Sequence, residues 1–390
     1  MKNVFRQFFL TTCAVVTMLA AASVRADGNR GHSYLDHREF RDSGPTAVYT
    51  MDNAATGNNV WAFQRSPKGA LAGPFTYPTG GTGTSDGLGN QGGIQLSRDG
   101  RWLLVCNAGS DDISVFAVTR RGLLLTDRTA SEGHRPISLA LHGNLLYVLN
   151  AGGALPGGSD SIAGFLFVHG KLLHLPGASY ALSADNTAPA EVAFTRDGEH
   201  LVVTEKATGL LDSFQVGADG LVNDSKTFPS PTPTPFGFAA GRQNHIFVTE
   251  ANGGAATPGG GSVSSYEVTD DGDLEIISAS VPTHQTAACW LVLSHDERFA
   301  YTANTPDNSI SSFFVRRNGS LNLLRSQAAS TGAGSNPVDM YLSHDGRYLF
   351  TLNSGNGTIG AFQIRSRTGA LAPLPGAANL PATVNGLAVY

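Results

Sequence analysis

Along most of this chain, apolar and polar residues alternate in short runs broken by clusters of Gly, Asp, Asn and Ser. Period-two segments between turn residues predict β-strands joined by tight hairpins. The pattern also repeats. SHDGRYLFTLNSGNGTIGAFQI (343–364) has near copies at SRDGRWLLVCNAGSDDISVFAV (97–118) and SHDERFAYTANTPDNSISSFFV (294–315), and a looser one at TRDGEHLVVTEKATGLLDSFQV (195–216). Each copy runs from a short apolar strand through a Ser-x-Asp-Gly turn into a second strand, then a loop, a third strand and a Gly-x-Leu ending. A polar residue closes the second strand at Asp52, Asn107, Asn150, Glu205, Glu250, Asn304 and Asn353, in steps of 55, 43, 55, 45, 54 and 49 residues. A period near ~50 fits propeller blades of four strands, and seven markers predict seven blades.

The two ends complete the pattern. VNGLAVY (384–390) reads as an inner strand without the rest of its blade, and AVYTMDNAATGNNVWAFQ (47–64) as a blade without its inner strand. Pairing them leaves no open edge. The predicted fold is all-β: one seven-bladed β-propeller of four-stranded blades over residues 45–390, closed by pairing the C-terminal strand with the N-terminal blade. In that geometry the loops that enter inner strands and those that leave second strands converge on one face of the channel, where a ligand is expected.

Composition narrows the partners. A net charge of −5 gives no broad attraction to nucleic acid or to an anionic membrane. Residues 1–26 read as a secretory signal: Lys2 and Arg6 precede the apolar FFLTTCAVVTMLAAAS, and small residues allow cleavage after Ala26. Residues 27–44 read as a polar, flexible leader. The apolar run is too short to span, and no later stretch approaches ~18 apolar residues. The expectation is an exported monomer, periplasmic or secreted, that takes a small-molecule ligand or substrate, with no nucleic-acid partner and no membrane insertion. Cys106 and Cys289 remain after cleavage and are expected as separate buried thiols. HExxH and CxxC are absent, and no metal or cofactor is called for.

Two ring markers stand out. Glu205 and Glu250 are carboxylates where Asn serves elsewhere, and burial at a channel mouth raises a carboxyl toward acid–base use. The competing reading is that marker side chains only cap hairpin turns. His284 is a candidate second proton carrier. Trp290 and Gln285 on the same approach, with His134, Arg135 and Glu191 in other entry loops, are candidate ligand contacts. Asp339 and the stretch from Asp86 to Gln91 also belong to loops that face the mouth.

The S-x-DGR-x-L-Y/F turns and Gly-x-Leu endings resemble those of the lactonase propeller family, the 6-phosphogluconolactonase-like and carboxymuconate-lactonizing propellers, over residues 45–390. The resemblance implies metal-independent opening or closing of a lactone ring by polar residues on the channel face, with Glu250 at the position of the family's blade-five glutamate. The family's Pro-Arg-His entry falls on Pro235, Phe236 and Gly237, its blade-four histidine on Ala190 and its blade-six arginine on Thr305. The cations that would hold a substrate anion are therefore replaced. Two functions remain open: a hydrolase or cyclase acting on a small lactone or cyclic ester, or a non-catalytic propeller binding a small molecule, glycan or protein.

Overall fold

In the computed structural model, which describes residues 46–390, the chain forms seven four-stranded antiparallel sheets. The expected signal and leader lie outside the described residues. Six sheets are built from consecutive strands. The seventh takes Asn385–Val389 from one end of the chain and Ala47–Met51, Asn59–Arg65 and Leu71–Pro78 from the other. This is the expected seven-bladed propeller.

The sequence explains each layer. Four inner strands open on proline (Pro136, Pro189, Pro235 and Pro337), a residue tolerated at a strand's first position because it has no N–H to donate. Second strands such as Tyr348–Asn353 are buried throughout, since neighbouring blades cover both faces. They read as near-continuous apolar runs rather than as alternation. Outer strands such as Leu71–Pro78 are largely exposed. The marker residues fall where expected. Asn107, Glu205, Glu250, Asn304 and Asn353 end their second strands, Asn150 is next to last, and Asp52 follows Met51. All seven are buried. Cys106 and Cys289 are free, buried thiols in separate blades.

Two devices repeat, one within blades and one between them. In the Ser-x-Asp turns the hydroxyl bonds the aspartate two residues on, at 2.6 Å for Ser97–Asp99 and 2.7 Å for Thr195–Asp197 and Ser294–Asp296. The same hydroxyl accepts the N–H five residues on, as Ser97 does from Trp102 at 3.0 Å. Buried tyrosines of second strands reach the outer turn of the next blade: Tyr147 donates to Gly220 O at 2.7 Å, Tyr301 to Gly369 O at 2.9 Å and Tyr348 to Pro67 O at 2.9 Å. The aromatic ring fills the space between blades while its hydroxyl is satisfied.

Closure pairs Val48 with Val389, Tyr49 with Ala388 and Thr50 with Leu387. Arg65 donates to Tyr390 O at 3.2 Å, and Tyr390 N to Ala47 O at 3.0 Å. Removing residues 385–390 exposes the edge of Ala47–Met51 and empties the sites of buried Leu387, Ala388 and Val389. We expect the truncated chain to lose ~5 kcal/mol or more, most of a domain's usual stability. Chemical denaturation would record this as a collapsed or non-cooperative transition; an unchanged midpoint would contradict closure by this strand.

Candidate functional site

The channel has two mouths. One, here the loop face, gathers the loops that enter inner strands; the other, the turn face, carries the Ser-x-Asp hairpins between first and second strands. The loop face is occupied by the chain itself. The segment Gly89–Gly93, between blades one and two, bonds the inner strands of blades three to six. Gln91 N donates to Ala190 O at 3.1 Å, and Leu139 N donates to Gly92 O at 3.0 Å. Gln91 Nε2 donates to Phe238 O at 3.2 Å and Leu291 O at 3.0 Å, while its Oε1 accepts from Leu291 N at 3.1 Å. Trp290 Nε1 donates to Asn90 O at 2.8 Å, and Asn90 Nδ2 to Ile137 O. Lys206 Nζ donates to Gly89 O and, at 2.8 Å, to Pro189 O, and lies 4.8 Å above the Phe236 ring. Burial lowers the Lys206 ammonium to about 8.

This plug sits where the resembled family carries its cations. A side chain on Gly237 would overlap Gln91 Oε1. Phe236 packs edge-on to Trp290 at 5.1 Å, and Ala190 supplies a carbonyl to the plug. Thr305 Oγ1 donates to Pro337 O at 3.0 Å.

The channel holds a cavity of about 460 Å³, lined among others by Gln91, Gln95, Glu191, Asp339 and Tyr341. Glu191 (7 % exposed) and Asp339 (2 %) come from blades four and seven, on opposite sides of the ring. Glu191 Oε2 accepts from Phe238 N at 2.6 Å. Asp339 accepts from Met340 N and Leu387 N, both at 2.8 Å. Burial drives both carboxyls up, Asp339 to about 8 and Glu191 well above its usual range. Repulsion from Asp339 adds to the rise at Glu191. Tyr341 beside them is raised by burial and by both acids. Two carboxyls of raised proton affinity therefore face one cavity from different blades.

Of the residues given catalytic or ligand-binding roles from the sequence, only Glu191 lines this cavity. Glu205 and Glu250 are fully buried, and their carboxyls turn to hydroxyls beside their own strand ends. Glu250 accepts from Ser264 at 2.5 Å, from Ser230 at 3.3 Å and from Ser262. Burial raises its carboxyl despite these three donors. Glu205 accepts from Ser183 N at 3.0 Å, Ser183 Oγ at 2.5 Å and Thr208 Oγ1 at 2.6 Å. Burial and the adjacent Glu205 push Asp212 up to about 8. His284 is exposed on its loop, with φ 56°. Gln285 ties Ser309 (2.8 Å) to Ser326 (3.0 Å). Trp290 is buried against the plug. His134 is exposed and bonds Asp111 at 2.7 Å, and Arg135 is half-buried at a left-handed turn. The structure therefore does not gather Glu205, Glu250 and His284 around one space. It brings together Glu191, Asp339, Tyr341 and Gln91, of which Asp339 and Gln91 had been placed in mouth-facing loops without a role.

The sequence profile of the seven-bladed β-propeller lactonases matches residues 37–154, 230–340 and 262–385. No protein with a curated function matches the sequence. Among solved structures, the periplasmic gluconolactonase of Pseudomonas aeruginosa superposes with a TM-score of 0.68 at 17 % identity, covering 88 % of this chain and 99 % of its own. A Bacteroides fragilis protein provisionally classed as a 6-phosphogluconolactonase gives 0.66 at 19 %, with 90 % and 99 % covered. A Lactobacillus plantarum protein gives 0.69 at 14 %, with 89 % and 99 % covered. At these identities the likeness is one of fold.

Two measurements probe this site. Gln91→Ala strips the acceptor from a buried N–H, so stability should fall by ~1–3 kcal/mol and exchange of the Leu291 amide should accelerate; unchanged exchange would contradict the plug. Asp339 binds its proton more tightly folded than unfolded. Its contribution to stability is therefore complete below about pH 4 and is lost as pH rises through about 8. Asp339→Asn should flatten that part of the stability–pH curve, read by denaturation across the range.

Proposed function

Because the chain belongs to the seven-bladed β-propeller lactonase family, we propose that it hydrolyses a small lactone within the channel cavity, with Asp339 and Glu191 dividing the proton transfers. One observation carries the reading: two buried carboxyls with raised proton affinity face the same cavity from opposite blades. The chemistry needs a base for water and an acid for the departing ring oxygen. Asp339, once ionised, takes a proton from water as its oxygen attacks the lactone carbonyl. The tetrahedral intermediate collapses with rupture of the ring C–O bond, and Glu191 delivers its proton to the alkoxide. The product is a hydroxy acid, and solvent returns the proton from Asp339 to Glu191. Tyr341 and Gln91 supply hydrogen-bonding groups at the wall. The likeness in fold to a periplasmic gluconolactonase supports a polyol lactone as the class to try first.

The sequence pattern at the N-terminus supports export, so the protein secreted by its host should begin at Asp27 on N-terminal sequencing. The second reading, a propeller that only binds, draws support from the plug, which fills the space where the family's cations stand.

A panel of neutral and acidic lactones tests the proposal. Glu191→Gln and Asp339→Asn should each lower kcat by ~10²–10⁴-fold, and activity should climb as pH rises through about 8 with Asp339 losing its proton. Glu205→Gln and Glu250→Gln should lower stability and leave kcat within severalfold. Turnover indifferent to both channel substitutions would refute the assignment. Turnover of no lactone at all would favour the binding reading.

A further inference from the structure

Four of the hairpins on the turn face carry a cationic or imidazole side chain in the same slot, between the hydroxyl residue and the aspartate: Arg98, Arg196, His295 and His344. All four line a single cavity of about 550 Å³ at that mouth. It shares eight lining residues with the channel cavity, Arg196, His295, Gln95 and Tyr341 among them, so the mouth leads inward to Asp339 and Glu191.

The charges there are not cancelled. The turn aspartates are absent from the lining, because each is folded back on its own hairpin; Asp99 accepts from Ser97, and Asp345 from Ser343 and Arg347 N. Glu297 is the one side-chain carboxylate in the lining, and Arg196 and Arg242 already share it, at 2.5 and 3.4 Å. Arg98, His295 and His344 enter no ion pair among the described residues. Arg98 is thus an unpaired cation at a concave opening, where it attracts anions, and the two imidazoles beside it offer hydrogen bonds. The rings are also held in place. His344 stacks on Tyr390 at 4.8 Å and 8°, and the His295 ring covers Gly346, where an added Cβ would lie 2.9 Å from it.

We propose that this mouth is an anion-binding port for small molecules bearing a carboxylate or phosphate. The Arg98 guanidinium offers a forked set of donors, and Arg196 keeps N–H groups beyond the one given to Glu297. His295 and His344 add ring N–H groups from the facing side. The port stands on the side opposite the loop face, and it does not depend on the channel being catalytic.

Titrating the mature protein with inorganic phosphate, and separately with gluconate, tests this through histidine side-chain NMR signals and calorimetry. The His295 and His344 signals should shift saturably, with His134 on the loop face unmoved. Arg98→Gln combined with His344→Gln should weaken binding at least fivefold, whereas His134→Gln should leave it unchanged. Arg98→Gln alone, at an exposed side chain with no ion pair, should weaken it about twofold and serves if the double variant melts early. Saturation by phosphate only or by gluconate only identifies which anion the port reads, and either supports it. Non-saturating shifts, equal shifts at His134, or affinity indifferent to these substitutions would overturn it. A protein that opens no lactone yet saturates here keeps the port and loses the function proposed above. A lactonase whose histidine signals ignore both anions does the reverse.

Discussion

The innermost strand of every blade has one edge with no strand beside it, and that edge faces the central channel. An orphaned buried N–H costs ~1–3 kcal/mol, so the channel wall must supply acceptors. Ser138 Oγ accepts Val192 N of the next blade at 3.2 Å, and Glu191 does the same for Phe238 N. Asp339 accepts Leu387 N across the closing seam, while Gln91 and Gly92 of the plug serve Leu291 and Leu139. The acids of the candidate site thus begin as answers to backbone hydrogen bonding. Ser138 shows that a neutral side chain meets the same demand. A carboxyl at two seams brings an ionisable proton into a dry space, which the fold alone does not require.

The same constraint shapes the loop face. Asn90 and Gln91 act as a portable set of backbone-like donors and acceptors laid across four blades. Once an amide occupies that place, a charged side chain at Gly237 has no room, and Phe236 becomes a wall for Trp290 and a seat for Lys206. The Gln91 amide and a side chain at Gly237 exclude one another. At the far mouth, the turns carry Arg98 and Arg196.

Blade number, strand order and ring closure were legible because they rest on local chemistry: turn residues at fixed offsets and a period near ~50. The plug was not legible, since Gln91 finds its partners 147 and 200 residues away. The direction of Glu205 and Glu250 was also hidden. Spacing places a residue at the end of a strand without saying whether it turns to the channel or along its own sheet. For Glu250 a clue existed in SVSS, whose Ser262 and Ser264 follow 12 and 14 residues on and supply its donors. The basic slot of the turns was equally open to view, in four copies of one motif.

Comparing equivalent sockets shows why the ring acids and the channel acids differ. Asn304 meets Ser309 and Ser311, and Asn107 meets Asp112 and Ser114, so an amide is matched by groups able to accept. Glu250 accepts only, and its socket answers with hydroxyls that donate. In blade four the equivalent socket presents Asp212 to Glu205, two carboxyls in one buried place, and burial with that neighbour pushes Asp212 up to about 8. Those carboxyls have their demands met inside the sheet. Glu191 has one backbone donor and Asp339 two, with no hydroxyl bonded to either. Their remaining capacity, and the proton that burial keeps on each, faces the cavity, where a bound molecule is the group left to meet it.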